Sequence, residues 1–171
     1  MDLIAVGLVT MLGVAVATDV GMRRIPNLVT VGGFGFALFV RGLTGVDPLV
    51  GGLLGAGLGF VLSFPLFAAG GLGGGDVKLL TAAGAFLGPG RFIVAFLATA
   101  IIGAFMALIA AARRRALTST LLGTKDLAVG VAQRAVRSPV KTELPSLDRP
   151  GGIRNPYGVA IAAGALIGLL Y

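Results

Sequence analysis

The sequence contains no cysteine and no histidine, and only seven of its 171 residues are Asp or Glu. Without cysteine the chain forms no disulfide and cannot be a thiol protease. Without histidine as well, it lacks the residues of a Ser-His-Asp triad and of the usual zinc sites. If the chain is an enzyme, its acid–base chemistry depends on Asp, Glu, Lys or Tyr.

Charged residues are scarce too: they make up 12% of the chain, whereas about 25% is usual for a soluble domain. Hydrophobic residues account for 56%, the mean hydropathy is +0.98, and the apolar residues form long uncharged runs typical of a protein in a bilayer. The net charge is +7. The basic residues lie at the ends of the apolar runs and in one late segment, so we expect a lipid bilayer and no nucleic acid as partner.

The apolar residues form six segments, which predict an all-α membrane protein with six transmembrane helices in a single domain over residues 1–171. The fourth segment is short, and a polar loop separates the fifth from the sixth. The segments are Leu3–Thr18, Leu28–Val40, Leu49–Leu72, Val77–Leu87, Phe92–Ala112 and Pro156–Tyr171.

The first segment resembles a signal peptide in length but not in charge order. Asp2 precedes it, and the basic pair Arg23 and Arg24 follows it. A signal peptide has its positive charge before the apolar run. We therefore expect a retained helix whose C-terminal end faces the cytoplasm.

The distribution of basic residues predicts the orientation of all six segments. If the first helix ends inside, Asp19–Asn27, Gly73–Lys78 and Arg113–Asn155 are cytoplasmic. These segments hold twelve of the 14 Lys and Arg residues, and Arg41 and Arg91 are the other two. The positive-inside rule therefore favours a multi-pass protein of the inner (cytoplasmic) membrane with both termini outside.

Small residues repeat every four positions in two segments. Gly51, Gly55 and Gly59 do so in the third segment, and the sixth does the same with Ala160, Gly164 and Gly168. Such faces let helices approach closely in lipid. We expect packing within one chain rather than dimerisation; the oligomeric state itself does not follow from the sequence.

The polar loop Arg113–Asn155 divides into two parts. Leu117–Val136 mixes apolar and basic residues and could lie as a helix on the cytoplasmic surface. Ser138–Asn155 contains three prolines, which predict extended or irregular structure.

Two carboxylates are candidates for chemistry because of their positions. Asp19 closes the first apolar run, and Asp76 follows the glycine run Gly73–Gly75 and opens the fourth segment. Both are predicted at the cytoplasmic face, and ionisable residues at membrane depth are often functional. Two carboxyl groups held close together share one proton, so one can accept a proton from water while the other donates one.

The glycines that precede Asp76 suggest how a substrate reaches it. An extended backbone without side chains over Gly70–Gly75 would let a peptide approach. Non-helical backbone at this depth is tolerated where protein or a water-filled cavity surrounds it. We therefore expect a cavity at the end of the third helix.

Simpler interpretations of the two acids remain open. Asp76 can be an ordinary helix N-cap, and Asp19 can form an interfacial ion pair with Arg23 or Arg24. A transporter could use the same acids to bind protons or cations. A Ser-Lys dyad is a weaker alternative; its candidates are Ser63, Ser119 with Lys125, and Ser138 with Lys141.

Three ordered blocks resemble the type IV prepilin peptidase family. Gly73–Leu79 resembles its GxGD signature, Asp19 followed by Arg23–Asn27 resembles its first aspartate region, and Asn155–Ala162 resembles the start of its last helix. The resemblance implies an aspartic endopeptidase that cuts short basic leaders from prepilins or pseudopilins at the cytoplasmic membrane face.

The resemblance also implies roles for individual residues. Asp19 and Asp76 match the catalytic aspartates, and Gly73 and Gly75 match the motif glycines. We expect substrate-binding or supporting roles for these glycines and, additionally, for Lys78 and Asn27, and we expect neither metal nor cofactor.

The short link Val20–Asn27 and the absence of cysteine resemble the compact form of the family found in Tad/Flp pilus systems. Larger members carry an insertion with paired cysteines and also methylate the new N terminus. We therefore do not expect N-methylation by this chain. Archaeal preflagellin-type peptidases are similar and stay open as an alternative, as does a non-enzymatic component of a pilus machine.

The predicted orientation can be tested with single cysteines, because the chain has none of its own. Ser146→Cys, in the predicted cytoplasmic loop, should resist an impermeant thiol reagent in intact cells, whereas Thr44→Cys should react. The opposite labelling pattern would reverse the orientation.

Overall fold

The structure is a computed structural model that describes residues 3–22, 25–113 and 157–171. The predicted surface helix Leu117–Val136 and the proline-rich Ser138–Asn155 lie outside the described residues. The same holds for Arg23 and Arg24, the predicted ion-pair partners of Asp19.

The described residues form six helices and no strand, as the sequence predicts for an all-α protein. Four of them, α1, α2, α3 and α5, are long and apolar enough to cross a membrane, whereas α4 and α6 have 14 residues each. The helices are α1 (Leu3–Met22), α2 (Asn27–Thr44), α3 (Val46–Ala68), α4 (Gly74–Leu87), α5 (Pro89–Arg113) and α6 (Tyr157–Leu170).

Helices α2 and α3 extend well into the stretch predicted as an external loop. Only Gly45 separates them, and its φ of 137° is a conformation that side chains rarely allow. A single glycine therefore reverses the chain. Pro48 fits into the first turn of α3 because N–H groups there have no acceptor within the helix, so the N–H that proline lacks is not missed.

Helix α4 is the centre of the bundle. It contacts α1, α2, α3, α5 and α6, and nearly all its residues from Val77 to Leu87 are buried. A helix that is apolar on all sides is stable only when it is enclosed. Helix α4 therefore owes its position to the helices packed around it rather than to its length.

Glycines bring the backbones of α3 and α4 into direct contact. A Cβ on Gly55 would collide with the carbonyl oxygen of Gly84, and one on Gly59 would lie 2.6 Å from the carbonyl oxygen of Leu80. The repeat predicted in the third segment therefore packs within the chain. Gly51 is not part of this contact; Gly52, whose Cβ would lie 3.2 Å from the Ala85 oxygen, takes that place.

Helices α5 and α6 pack in the same way. A Cβ on Gly164 would collide with Thr99, and one on Gly168 would lie 2.7 Å from the carbonyl oxygen of Arg91. The predicted small-residue face of the last helix is thus an intramolecular contact as well. Because backbone atoms meet here, α6 cannot shift towards α5.

The end of α4 far from Asp76 is held by an arginine. The Arg41 guanidinium donates to the carbonyl oxygens of Phe86 at 2.8 Å and Pro48 at 3.0 Å. Carbonyl groups in the last turn of a helix lack intrahelical partners, so this contact satisfies one of them. Arg41 and Arg91 lie at this same end of the bundle, opposite to Asp76.

The outer surface of the bundle is apolar. Large side chains that are more than half exposed include Leu54, Val61, Leu97, Ile101 and Phe105. Water would penalise so much contiguous apolar surface, whereas lipid tails would not.

Gly55→Ala should destabilise the bundle, because the added methyl collides with backbone atoms that cannot rotate away. Overpacking of this kind costs about 1–3 kcal/mol. Thermal unfolding of the detergent-solubilised protein should show a lower midpoint. Gly57→Ala on the same helix is the matched control, since its Cβ meets nothing within 4 Å. Equal midpoints for the two variants would contradict the backbone contact.

Candidate active site

Asp19 lies in the last turns of α1, which continues to Met22. The prediction that Asp19 ends the first helix is therefore wrong by about one turn, and the helix continues through Gly21 although glycine is unfavourable in a helix interior. The half-buried Asp19 accepts a hydrogen bond at Oδ2 from the backbone N–H of Gly158, 3.0 Å away. Gly158 is the second residue of α6, so this bond joins the first helix to the last.

Asp76 lies in the first turn of α4 and closes that turn. Its Oδ2 accepts the backbone N–H of Gly73 at 3.0 Å, and Gly73 is the residue before the helix. A carboxylate at this position is stabilised by the free N–H groups and the positive end of the helix. Asp76 is therefore not the N-cap residue, which is Gly73; it accepts the N–H of that residue from the third helical position.

The glycine run is not the extended segment that the sequence predicts over Gly70–Gly75. The N–H groups of Gly70 and Gly71 form a turn by donating to the carbonyl oxygens of Phe67 and Leu66. Gly74 and Gly75 already belong to α4, because the bond between Asp76 and Gly73 allows the helix to start before them. A Cβ on Gly75 would lie 3.4 Å from the Ile25 side chain, so Gly75 faces the link between α1 and α2.

Lys78 and Asn27, both predicted as supporting residues, contact each other. The Lys78 ammonium donates to the Asn27 side-chain oxygen at 2.8 Å, and both residues are exposed. The bond ties the first turns of α4 to the start of α2. With the contact of Gly75 to Ile25, it places Asp76 at the bundle end where α1 finishes.

An apolar groove of about 490 Å³ lies between α2, α3 and α4. Phe60, Phe64 and Phe67 line it from the last part of α3, near the predicted cavity, but Gly74 is the one glycine of the run before Asp76 that lines it. Gly74 and Lys78 line it from α4, on one face of that helix, whereas Asp76 lies on another face. Neither aspartate lines the groove.

The other acid and serine candidates from the sequence that the structure describes do not lie beside Asp19 and Asp76. Asp47 is exposed in the first turn of α3, at the opposite end. Ser63 is buried, and its hydroxyl donates to the carbonyl oxygen of Gly59 in its own helix. Ser119, Lys125, Ser138 and Lys141 lie outside the described residues. Within the described part of the chain, no three acids cluster as a metal site would require.

Comparison with known proteins adds a family to this geometry. The sequence model of the type IV leader peptidase family matches residues 6–108. The chain belongs to this family. The matched segment includes Asp19 and the whole stretch from Gly73 to Lys78.

A curated member of the family covers nearly the whole chain. The prepilin leader peptidase/N-methyltransferase of Bacillus subtilis (strain 168) is 30% identical over 169 residues, which are 98% of this chain and 55% of the relative. The chain thus spans about half the length of the curated relative that it matches. No solved structure matches. Family membership and the apolar helices together identify a multi-pass membrane protein.

Gly158 was not among the site residues predicted from the sequence. The sequence analysis used Asn155–Ala162 only as the start of a helix, and Gly158 lies outside the segment matched by the family. The sequence signal that could have pointed to Gly158 was its position two residues after Pro156, at the predicted start of a helix. Because Gly158 and Asp19 are 139 residues apart, no local pattern shows that they meet.

Gly73→Ala should disturb Asp76, whereas Gly74→Ala should not. A Cβ on Gly73 would lie 3.1 Å from the Asp76 Oδ2, while one on Gly74 would meet only Phe67 at 3.7 Å, an ordinary contact. We expect Gly73→Ala to lower peptidase activity by about tenfold or more, and Gly74→Ala to stay near wild type. Cleavage rates of the two variants at equal membrane levels would test this; equal rates would contradict a specific role for Gly73.

Proposed function

We propose that this chain is a prepilin leader peptidase in which Asp19 and Asp76 form an aspartyl dyad. It cuts the peptide bond after the short basic leader of a prepilin or pseudopilin. The observation that carries the proposal is that both carboxylates lie at one end of the bundle, each held by a glycine N–H at a helix start. Membership of the type IV leader peptidase family and the name of the Bacillus subtilis relative support it.

The chemistry follows from the residues that the chain offers. With no cysteine or histidine, and with Asp47 at the other end of the bundle, Asp19 and Asp76 are the acids of the described residues that can act together. One carboxylate, ionised, takes a proton from the attacking water. The other, protonated, polarises the scissile carbonyl and then supplies a proton to the leaving amine. The two share one proton because their charges repel at short range.

The glycine contacts suit this chemistry. Each aspartate has one oxygen, Oδ2, bound to a backbone N–H, which fixes the direction of its carboxyl group. Backbone donors at helix starts hold charge in place without reorganising during the reaction.

Orientation completes the proposal. The excess of basic residues predicted on one side assigns the end with Asp19 and Asp76 to the cytoplasmic face of the inner membrane, with both termini outside. A basic leader lies on that side when its apolar helix enters the bilayer. The proposal for this chain covers cleavage alone, in the compact Tad/Flp-type form and without a cofactor, and it leaves out the methyl transfer that the relative's name includes.

Asp19→Asn and Asp76→Asn should each insert normally and each lose at least about 100-fold in cleavage rate. Asn has nearly the shape of Asp but cannot accept the proton from water. The double variant should be little worse than either single one, because the two residues act as a unit. Co-expression with a candidate prepilin, followed by a gel shift of the shortened product, measures the rate.

Asp47→Asn is the matched control, since it makes the same change in an exposed acid at the other end of the bundle. It should cleave at the wild-type rate. If either Asp19→Asn or Asp76→Asn also did so, the dyad would be wrong. A wild-type chain that leaves every prepilin uncut while conducting protons would favour a transporter.

A further inference from the structure

Gly158 and Asp19 fit together more closely than any side chain at position 158 would allow. Gly158 is buried, and its N–H lies 3.0 Å from the Asp19 Oδ2. A Cβ on Gly158 would lie 2.6 Å from that oxygen and 3.2 Å from the carbons Cβ and Cγ of Asp19. The carboxylate therefore occupies the space that the missing side chain leaves.

The start of α6 supplies a donor suited to a carboxylate. Helix α6 begins at Tyr157, so the N–H of Gly158 is among the first four of the helix, which have no intrahelical acceptor. The N-terminal end of a helix also attracts negative charge. Asp19 thus completes the hydrogen bonding of α6, and α6 fixes the direction of Asp19.

The same arrangement occurs at the other aspartate. Gly73 donates its N–H to the Asp76 Oδ2 at 3.0 Å, and its missing Cβ would lie 3.1 Å from that oxygen. Asp76 meets the start of its own helix, whereas Asp19 meets the start of a helix at the far end of the sequence. In two distant parts of the chain, a glycine N–H at a helix start therefore binds the Oδ2 of an aspartate.

We propose that Gly158 is a positioning residue for peptide cleavage: its N–H orients the Asp19 carboxylate, and its lack of a side chain leaves room for it. This inference rests on the proposed catalytic role of Asp19. It makes the last helix, which carries no Asp, Glu, Lys or Arg among its described residues, part of the active site.

The packing of α6 determines what yields when a methyl group is added at position 158. Gly164 and Gly168 hold α6 against the backbone of α5, so the helix resists displacement. The Asp19 carboxylate can instead rotate about its side-chain bonds, which costs about 0.5–1.5 kcal/mol off a preferred rotamer. Gly158→Ala should therefore misplace Asp19 and leave the bundle folded.

The test compares Gly158→Ala with Gly13→Ala, the same change on α1 where the added Cβ meets nothing within 4 Å. The substrate is a membrane-reconstituted peptide with a short basic leader followed by an apolar helix. Gly158→Ala should lower kcat by about tenfold or more, because a shift of about 1 Å at a catalytic group is enough. KM and the unfolding midpoint should stay close to wild type, and Gly13→Ala should change nothing.

A second pair of variants separates this inference from the proposed function. In an Asp19→Asn background, Gly158→Ala should cause no further loss of activity, because it acts through Asp19. If Asp19→Asn is inactive but Gly158→Ala keeps wild-type kcat, the positioning role is overturned and the proposed function stands. If Asp19→Asn is active, the proposed function fails. The unfolding midpoints of the Gly158 variants then still show whether Gly158 and Asp19 are in contact.

Those midpoints also decide the result if Gly158→Ala unfolds. Combined with Asp19→Ala, which removes the carboxylate, Gly158→Ala should regain its stability, since little is left for the methyl group to displace. A variant that stays unfolded without the carboxylate would show that Gly158 serves packing alone and would overturn the proposal.

Discussion

The contact between the backbones of α3 and α4 is the constraint on which the rest of the structure depends. Gly55 and Gly84 meet without any side chain between them, and this allows a short helix to sit inside the bundle. Contacts with five other helices cover most of the apolar surface of α4, and the groove that it forms with α2 and α3 borders the rest. The position of α4 along α3 then sets where Asp76 lies, because that residue is in its first turn.

The two ends of α4 are held by different means, which suits their different tasks. At one end, Arg41 reaches across from α2 and donates a hydrogen bond to the Phe86 carbonyl. At the other end, the helix begins with glycines, and a carboxylate takes the place of a cap. An end built from small residues leaves its polar groups accessible from the membrane surface.

Positioning a carboxylate with a backbone N–H has a physical advantage over doing so with a side chain. Packing already fixes the start of a helix, so its backbone N–H loses little conformational entropy when it binds a carboxylate. The small-residue face of α6, against α5, fixes Gly158 in this way, just as the faces of α3 and α4 fix Gly73 and Asp76. The glycine content of the chain thus serves helix packing and the candidate site alike.

The sequence by itself determined the elements that depend on local composition. Six apolar segments became six helices, and the acids Asp19 and Asp76 could be singled out because charge is rare near lipid. Helix ends were less predictable: α2 and α3 meet at Gly45 alone, and α4 starts at Gly74, because a single backbone angle or capping bond moves an end by several residues. Only the tertiary structure decided that Gly158 meets Asp19. That contact joins residues 139 apart, and it depends on how α6 packs along α5, which no short stretch of sequence encodes.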